Sequence, residues 1–325
     1  MASNLLELKN VSREFRIGGM IMGTKILAVD HVSLELPDDK AWIMSIVGES
    51  GSGKTTLARM ILNLLDLSGG EILISGTSLA AYAKNKKNFY KAVQPIFQNP
   101  FTAFSTKKTV DTYLYETALN LDIAKNKDEA KNIIEKTLNK VGLEYDQVQK
   151  KYPNQFSGGE LQRISIARAL ITNPKIIVAD EPVAMIDASL RMNIVNIFKS
   201  LKEEFNVSFV YITHDLSTAY YVSDYIATMY KGSMIEFGDA EQVLNEPGHP
   251  YTELLLDSIP KVGARWSETD TIRMEDAEDK TTADGCKFAK RCPYARDICT
   301  SKEPDMIEIN TEHRALCFKY NDYKS

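Results

Sequence analysis

Short runs of apolar residues, each followed by polar or small residues, mark the predicted strands of this chain. Ile43–Val47 ends in glycine, and residues 176–179 and 209–212 are similar runs with polar residues directly after them. Four or five apolar or β-branched residues bounded in this way are typical of buried parallel strands. After the first run, a loop of small residues leads into a helical pattern over residues 55–65. The order strand, loop, helix predicts an α/β fold.

The pattern changes between residues 101 and 170, where apolar residues recur at helical spacing. Residues 129–141 and 161–171 both have the period of amphipathic helices, so we predict a helical insert over about residues 100–170. After Pro260 the chain becomes polar and charged, which is the composition of a linker. We therefore predict one large domain over residues 1–260, followed by a linker and a small extension over residues 261–325.

Composition narrows the class of protein. The 325 residues are 44% hydrophobic and 26% charged, which is typical of globular proteins. The net charge of -5 argues against a nucleic-acid partner. No apolar run reaches the roughly 18 residues of a membrane span, and the first residues lack the basic and apolar regions of a secretory leader. We expect a cytoplasmic chain that binds no nucleic acid.

The sequence G-E-S-G-S-G-K-T follows the first predicted strand and opens the helix after it. It fits the phosphate-binding pattern G-x-x-x-x-G-K-[ST] in the strand-to-helix context that this motif requires. Glycines let the backbone wrap around phosphates, so that amide hydrogens and the helix N-terminus face negative charge. The lysine would contact the β- and γ-phosphates of ATP, and the threonine after it would bind Mg²⁺. The candidate ATP-binding residues are Gly48, Glu49, Ser50, Gly51, Ser52, Gly53, Lys54, Thr55 and Thr56.

Two carboxylates, Asp180 and Glu181, follow the second predicted strand. Ligands bind beyond the carboxyl ends of strands in open parallel sheets. Asp180 is the candidate Mg²⁺ ligand, acting through water, and Glu181 is the candidate catalytic group that orients or deprotonates the attacking water. Without the phosphate-binding loop, the same pair would be interpreted as a solvated strand end. Because the loop is present, we assign both residues to ATP hydrolysis.

A further motif, Ser157, Gly158, Gly159 and Glu160, precedes a helical pattern. Serine followed three residues later by glutamate is a capping box, in which the two side chains satisfy free backbone amides. Paired glycines are not part of that motif, and each costs the helix about 1 kcal/mol. They suggest that a ligand approaches the backbone closely. The capping and ligand-binding interpretations are compatible.

Together these motifs resemble the ABC ATPase family, and the resemblance covers nearly the whole chain. It implies a P-loop NTPase cassette with a mixed sheet core and a helical subdomain. In that family the motif at residues 157–160 contacts the γ-phosphate held by a second cassette. The resemblance also implies that Gln98 reaches Mg²⁺ and links the site to the helical insert, and that His214 contacts the γ-phosphate.

Three further positions are compared with the same family. Phe15 resembles the aromatic residue that stacks on adenine, although an aromatic near a chain start is as often a core residue. Asp187 resembles the end of the loop that crosses to the partner cassette. Ala184 stands where the family usually has serine, which leaves the contacts of that loop between cassettes open.

Four cysteines lie in the last 40 residues with the spacing C-x5-C-x6-C-x17-C, which points to a single site. Disulfides are disfavoured in a cytosolic chain, and structural zinc typically uses cysteine pairs two to four residues apart. Four thiolates at wider spacing suit a [4Fe-4S] cluster, with Zn²⁺ as the alternative. We expect a structural site that need not lie near the phosphates. The candidate ligands are Cys286, Cys292, Cys299 and Cys317.

Around these cysteines, and in the segment H-P-Y-T-E-L-L-L at residues 249–256, the chain resembles the ATPases of oligopeptide/dipeptide-type importers. Members with this cysteine set hold an iron-sulfur cluster. The resemblance implies uptake of oligopeptides or dipeptides, with an oligosaccharide importer as the alternative, because other chains select the substrate. The implied partners are a second ABC ATPase subunit, identical or similar, two membrane permease subunits and an extracytoplasmic substrate-binding protein. The implied location is the cytoplasmic face of the membrane.

Other uses of the same cassette are disfavoured by the sequence. DNA-repair ATPases of this type insert hundreds of coiled-coil residues between the phosphate-binding loop and the carboxylate strand, whereas only residues 55–176 intervene here, without a sustained heptad. Translation-factor ATPases carry two cassettes in one chain, and this chain has one phosphate-binding loop. A cassette that binds ATP without hydrolysing it would not require both Glu181 and His214.

Overall fold

The protein is described by a computed structural model that covers residues 3–17, 24–258 and 285–320. The predicted linker lies mostly outside these residues. The strands are β1 (Asn4–Ile17), β2 (Thr24–Pro37), β3 (Ile43–Val47), β4 (Gly69–Ile74), β5 (Thr77–Ser78), β6 (Val93–Ile96), β7 (Ile176–Asp180), β8 (Ser208–Ile212), β9 (Tyr225–Tyr230), β10 (Ser233–Asp239), β11 (Met306–Asn310) and β12 (His313–Leu316). The helices are α1 (Lys54–Ile61), α2 (Leu79–Tyr82), α3 (Lys86–Ala92), α4 (Val110–Asn120), α5 (Lys127–Lys140), α6 (Tyr145–Val148), α7 (Gly158–Leu170), α8 (Ala188–Phe205), α9 (Leu216–Val222), α10 (Ala240–Asn245), α11 (Pro250–Asp257) and α12 (Asp297–Ser301).

The larger sheet contains the three strands that the sequence predicts, and it confirms them as β3, β7 and β8. Its strand order is β11-β12-β10-β9-β3-β8-β7-β6. Strands β9, β3, β8, β7 and β6 run parallel to their neighbours within this group. Every residue of β3 and β8 is buried, as expected for strands covered on both faces. Their carboxyl ends meet at one edge, where the candidate site lies.

The smaller sheet is antiparallel, in the order β2-β1-β4-β5. Its buried side chains, such as Leu6 and Leu34, pack with Met44 and Ile46 of the larger sheet and with Leu57 of α1 in one apolar cluster. Burial of such side chains stabilises the fold by roughly 1.5–3 kcal/mol each. This packing fixes α1, and with it the glycine-rich loop, against the larger sheet.

Helices α4 to α7 occupy the segment for which the sequence predicts a helical insert. The predicted helices at residues 129–141 and 161–171 are present as α5 and α7. Helix α5 begins after Asn126, whose side chain accepts a hydrogen bond from the backbone N–H of Glu129 at 2.9 Å. Leu114, Ile134 and Leu161 share a second apolar cluster with residues of β7 and β8. The insert is thus packed on the opposite side of the larger sheet from the smaller sheet's cluster.

Helix α1 is shorter than the sequence pattern predicts. It ends at Ile61, so the prediction of a helix as far as residue 65 was wrong. Asn63 has a φ of +52°, in the left-handed region where a right-handed helix cannot continue. Asparagine tolerates that conformation better than most residues, so it ends the helix here.

The cysteine-bearing segment joins the larger sheet. Strand β12 pairs with β10, and β11 pairs with β12. Beneath this junction the buried carboxylate of Glu236 accepts hydrogen bonds from the backbone N–H groups of Gly248 at 2.6 Å and His249 at 2.9 Å. Its Oε1 also lies 2.6 Å from Nε2 of His313 on β12. The extension is therefore held by buried polar contacts as well as by strand pairing.

None of the helices in the described ranges is long and apolar enough to cross a membrane.

Candidate functional site

The glycine-rich loop lies between the end of β3 and the start of α1, beyond the carboxyl edge of the larger sheet. Gly48 has a φ of +144° and Gly53 a φ of +104°, conformations that L side chains rarely adopt. A Cβ at Gly48 would lie 2.2 Å from the carbonyl oxygen of Met229, and one at Gly53 would lie 2.3 Å from that of Ala28. Both positions therefore require glycine.

Lys54 is folded back into this loop. Its Nζ donates hydrogen bonds to the carbonyl oxygens of Gly48 and Glu49 at 2.8 Å each, and the residue is only 5% exposed. Burial lowers the pKa of Lys54, whereas the nearby carboxylates of Glu181, Asp180 and Glu49 act to raise it. A phosphate oxygen entering the loop would replace neutral carbonyl partners with an anionic one.

Thr55 and Asp180 meet beside the loop. The hydroxyl of Thr55 donates a hydrogen bond to Oδ1 of Asp180 at 3.2 Å. Burial raises the pKa of Asp180, and the hydrogen bond from Thr55 acts in the opposite direction. A hydroxyl and a carboxylate placed together are oxygen ligands of the kind that Mg²⁺ prefers, so these residues fit a magnesium site.

Glu181 is held by two further candidate residues. Its Oε2 accepts a hydrogen bond from Nε2 of Gln98 at 3.0 Å, and its Oε1 lies 3.2 Å from Nδ1 of His214. The backbone of Glu181 has a φ of +46°, while its N–H donates to the carbonyl of Ile212 at 2.9 Å. A non-glycine residue in this region is strained, and such strain is concentrated at functional sites. Gln98, Glu181 and His214 thus form one contact set at the sheet edge.

The motif before α7 adopts the predicted capping box. The backbone N–H of Glu160 donates to Oγ of Ser157 at 3.2 Å, and the N–H of Ser157 donates to Oε2 of Glu160 at 2.9 Å. The hydrogen bonds that the backbone N–H and the hydroxyl of Ser157 donate to the Glu160 carboxylate lower the pKa of Glu160. A Cβ at Gly159 would make only ordinary contacts, the nearest at 3.7 Å to Leu190, so packing within this chain gives no reason for glycine there.

The remaining predicted site residues lie apart from these contacts. Asp187 is exposed at the start of α8 and makes no side-chain capping hydrogen bond. Phe15 is half-buried on β1, and the guanidinium of Arg13 lies 4.8 Å from its ring centroid. Among the described residues, the hydrogen bonds and ion pairs of the central site do not include Phe15, Asp187 or the 157–160 motif.

Sequence reasoning missed two residues that contact the glycine-rich loop. The hydroxyl of Tyr251 accepts a hydrogen bond from the backbone N–H of Glu49 at 2.8 Å. The guanidinium of Arg291 binds the Glu49 carboxylate with two hydrogen bonds of 3.0 and 2.8 Å. Arg291 directly precedes Cys292, so the cysteine segment lies against the phosphate-binding loop. No sequence signal links these positions, because the contacts depend on the tertiary fold.

The four cysteines line one cavity of about 220 Å³. Burial raises the pKa of the Cys286 and Cys292 thiols, and burial together with the neighbouring cysteines raises that of Cys317 to about 11. Within the part of the chain that the structure describes, no group of three or more His, Cys, Asp or Glu side chains is placed to hold a metal ion. The prediction of an iron-sulfur cluster is thus not confirmed by the structure.

Comparison with known proteins identifies the family of proteins to which this fold belongs. The family model for "ABC transporter" matches residues 29–184, and the model for "Oligopeptide/dipeptide transporter, C-terminal region" matches residues 235–299. A solved structure, the ATP-binding cassette MJ0796 as a dimer bound to ADP and Pi, is 28% identical with a TM-score of 0.62, covering 72% of this chain and 98% of its own. The fold and the site define an ABC ATPase, which confirms the predicted fold class.

Relatives that match over nearly the whole chain identify the type of ABC ATPase. The oligopeptide transport ATP-binding protein AppF of Bacillus subtilis is 36% identical over 98% of both chains. The oligopeptide transport ATP-binding protein AmiF of Streptococcus pneumoniae is 36% identical over 96% of this chain and 94% of its own, and the di/tripeptide transport ATP-binding protein DppF of Pseudomonas aeruginosa is 32% identical over 93% and 94%. The chain belongs to the family of ATP-binding proteins of oligopeptide/dipeptide ABC transporters.

Proposed function

We propose that this chain is the ATP-hydrolysing subunit of an ABC importer that takes up oligopeptides or dipeptides. The observation that carries the proposal is the contact set at the sheet edge, where Gln98 and His214 hold Glu181 next to a glycine-rich phosphate-binding loop. The names of its relatives support the peptide substrate. The chain would act at the cytoplasmic face of the membrane with two permease subunits and an extracytoplasmic substrate-binding protein.

ATP would bind with its phosphates in the loop of residues 48–56. The backbone amides there and the start of α1 would face the phosphates, and Lys54 would exchange its carbonyl partners for phosphate oxygens. Thr55 and Asp180, joined by their hydrogen bond, would hold Mg²⁺ together with Gln98. The ion would neutralise part of the phosphate charge.

Glu181 would orient or deprotonate the attacking water, and His214 would contact the γ-phosphate. In the structure Glu181 and His214 contact each other, so a γ-phosphate that binds between them would give each residue a new contact. Gln98 connects Glu181 to the segment leading into the helical insert. A change at the γ-phosphate therefore has a direct route to that insert, which would transmit it to a permease loop.

A second ATPase subunit, identical or similar, would complete each site. Its Ser157–Glu160 motif would reach the γ-phosphate bound by this chain, which accounts for a glycine at position 159 that packing within one chain does not require. Asp187, exposed before α8, would cross between the subunits. Phe15 would stack on adenine through the ring face not covered by Arg13.

Peptide transport is tested by uptake measurements in cells that lack this gene. We expect the deletion strain to lose uptake of labelled oligopeptides or dipeptides, and a plasmid-borne copy of the gene to restore it, because transport requires ATP hydrolysis by this subunit. Uptake of a labelled oligosaccharide in the same cells serves as the matched comparison. Loss of oligosaccharide uptake with normal peptide uptake would overturn the peptide assignment and leave the ATPase assignment standing.

We further propose that the four cysteines hold a [4Fe-4S] cluster. The cavity that they line, about 220 Å³, has room for several atoms beyond a single ion, given that one water needs about 10–15 Å³ of such space. Thiolates are the ligands that such clusters use. When bound, the cluster would contribute folding free energy to the extension, because binding a metal group to a folded site also stabilises that fold.

The cluster is tested by metal and acid-labile sulfide analysis of protein purified without oxygen. We expect iron and sulfide together with brown absorbance, and we expect Cys292→Ser to lose that absorbance and to become more sensitive to protease in the extension. The matched control is Ala295→Ser, which introduces a serine at an exposed position that is not one of the four cysteines. Zinc at one equivalent without sulfide would show that the alternative, Zn²⁺, is correct.

A further inference from the structure

Arg291 of the cysteine segment is bonded to the phosphate-binding loop. Its guanidinium and the Glu49 carboxylate form a bidentate ion pair, with N–O distances of 3.0 and 2.8 Å. Glu49 is also held through its backbone, since its N–H donates to the Tyr251 hydroxyl and its carbonyl accepts from Lys54. Bidentate arginine–carboxylate pairs fix geometry as well as charge. One loop residue is thus held at three points.

The cysteine segment places Arg291 through buried contacts. Phe288 is 2% exposed and packs against the rings of Tyr230 and Tyr251, with centroids 5.4 and 5.5 Å away. The backbone N–H of Arg291 donates to the carbonyl of Phe288 at 3.0 Å, which closes a short turn. The guanidinium lies 5.8 Å from the Tyr230 ring centroid. The position of Arg291 is therefore set by the packing of the extension on the cassette.

A second anchor of the same segment reaches the other side of the loop. Nζ of Lys287 donates to the carboxylate of Asp30 and to the hydroxyl of Ser233. Between these residues, the backbone N–H of Gly232 donates to the carbonyl of Ser52 in the phosphate-binding loop at 2.9 Å. The extension thus reaches the loop at two places. Arg291 contacts Glu49 directly, and Lys287 is connected to Ser52 through Ser233 and its neighbour Gly232.

The charge of Glu49 is unfavourable for a polyphosphate ligand. Glu181, Asp180 and Glu49 all act on Lys54 through their charges, so the Glu49 carboxylate contributes to the potential at the phosphate site. Asp180 has a proposed role in binding Mg²⁺ and Glu181 one in hydrolysis, whereas Glu49 belongs to the loop through its backbone and its side chain has no such role. Arg291 pairs with this carboxylate and offsets its negative charge.

We propose that Arg291 is a positioning residue for ATP, which neutralises and orients Glu49 so that the phosphate-binding loop accepts the triphosphate. The cysteine segment then sets the ATP affinity of the cassette without touching the nucleotide. This inference rests on the proposed function as an ATPase, and it assigns to the extension a role in nucleotide binding.

The test measures ATP affinity by calorimetry and steady-state ATPase kinetics on the full chain. We expect Arg291→Ala to raise the Kd and KM for ATP about three- to fivefold with kcat changed less than about twofold, since it leaves the Glu49 carboxylate unpaired near the phosphates. Glu49→Gln lowers the Kd, since it leaves the cation of Arg291 unpaired there. The double variant returns the Kd toward the parental value, and Arg291→Lys lies between Arg291→Ala and the parent.

Lys302→Ala removes a positive charge from an exposed side chain of the same extension and is the matched control, with less than about a twofold change in Kd.

If Arg291→Ala and Glu49→Gln weaken ATP binding equally and the double variant shows no recovery, the pair only docks the extension and the proposal is overturned. Unchanged Kd in Arg291→Ala overturns it too. If Arg291→Ala fails to fold, the opposite shifts expected for Arg291→Lys and Glu49→Gln decide the question. Failure of the parent chain to bind ATP would instead contradict the proposed function.

Discussion

Replacing Glu181 with glutamine is expected to abolish most ATP turnover while ATP binding persists. The amide preserves the shape of the side chain and can still contact Gln98 and His214, which hold the carboxylate at 3.0 and 3.2 Å. It cannot accept a proton from the attacking water or align that water by its charge. General-base catalysis of this kind contributes about 10²- to 10⁴-fold, so kcat should fall by that factor.

The same variant should accumulate as an ATP-bound dimer, because the closed state forms but cannot be released by hydrolysis. Phosphate release and oligomer size, measured with and without ATP, test both parts of the expectation. Glu203→Gln, which makes the same chemical change at an exposed position on α8, should behave as the parent does. Near-normal turnover in Glu181→Gln would remove Glu181 from the catalytic role.

The parts of the fold that sequence predicted correctly depend on local patterns. The apolar run Ile43–Val47, the glycines after it and the helical spacing beyond them lie within about 25 residues, and each has one physical interpretation. The capping box at Ser157 and Glu160 is local in the same way, and its two hydrogen bonds are present. Resemblance to a family added the residues that no local pattern explains, such as Gln98.

The parts that sequence did not predict depend on contacts between distant segments. Arg291 and Glu49 are 242 positions apart, and the packing of Phe288 together with the pairing of β12 on β10 brings them together. The strained backbone of Glu181, with a φ of +46°, is of the same kind, since its N–H bonds to Ile212 on the neighbouring strand, which is distant in sequence. An isolated pattern of residue types carries no information on such tertiary contacts.

The end of α1 shows that a helix boundary is also difficult to predict from sequence. Apolar spacing continued to residue 65, but the left-handed conformation of Asn63 ended the helix at Ile61. Asparagine costs a helix only a few tenths of a kcal/mol by propensity, which is too little to predict a boundary from sequence.

Lys54→Ala is expected to lose most of its affinity for ATP. Lys54 is the one lysine or arginine in the motif of residues 48–56, and its ammonium lies within the loop, 2.8 Å from two carbonyl oxygens. The nearby carboxylates of Asp180 and Glu181 act on it through their charges, so its removal leaves their negative charge beside the triphosphate without the Lys54 ammonium between them. Charge-assisted hydrogen bonds contribute about 1.5–3 kcal/mol each, which for one lost contact corresponds to a roughly ten- to hundredfold weaker Kd.

Calorimetric titration with ATP and Mg²⁺ measures this loss directly, and a thermal unfolding curve shows whether the loop has been damaged at the same time. The second measurement is needed because alanine also leaves the carbonyl groups of Gly48 and Glu49 without the donor that satisfies them. Lys84→Ala, at an exposed lysine, is the matched control and should bind ATP as the parent does. The signature of the proposed role is a weaker Kd for Lys54→Ala at an unchanged unfolding temperature. Equal affinity in Lys54→Ala and the parent would mean that the loop binds the triphosphate through its backbone alone, which contradicts the role proposed for this side chain.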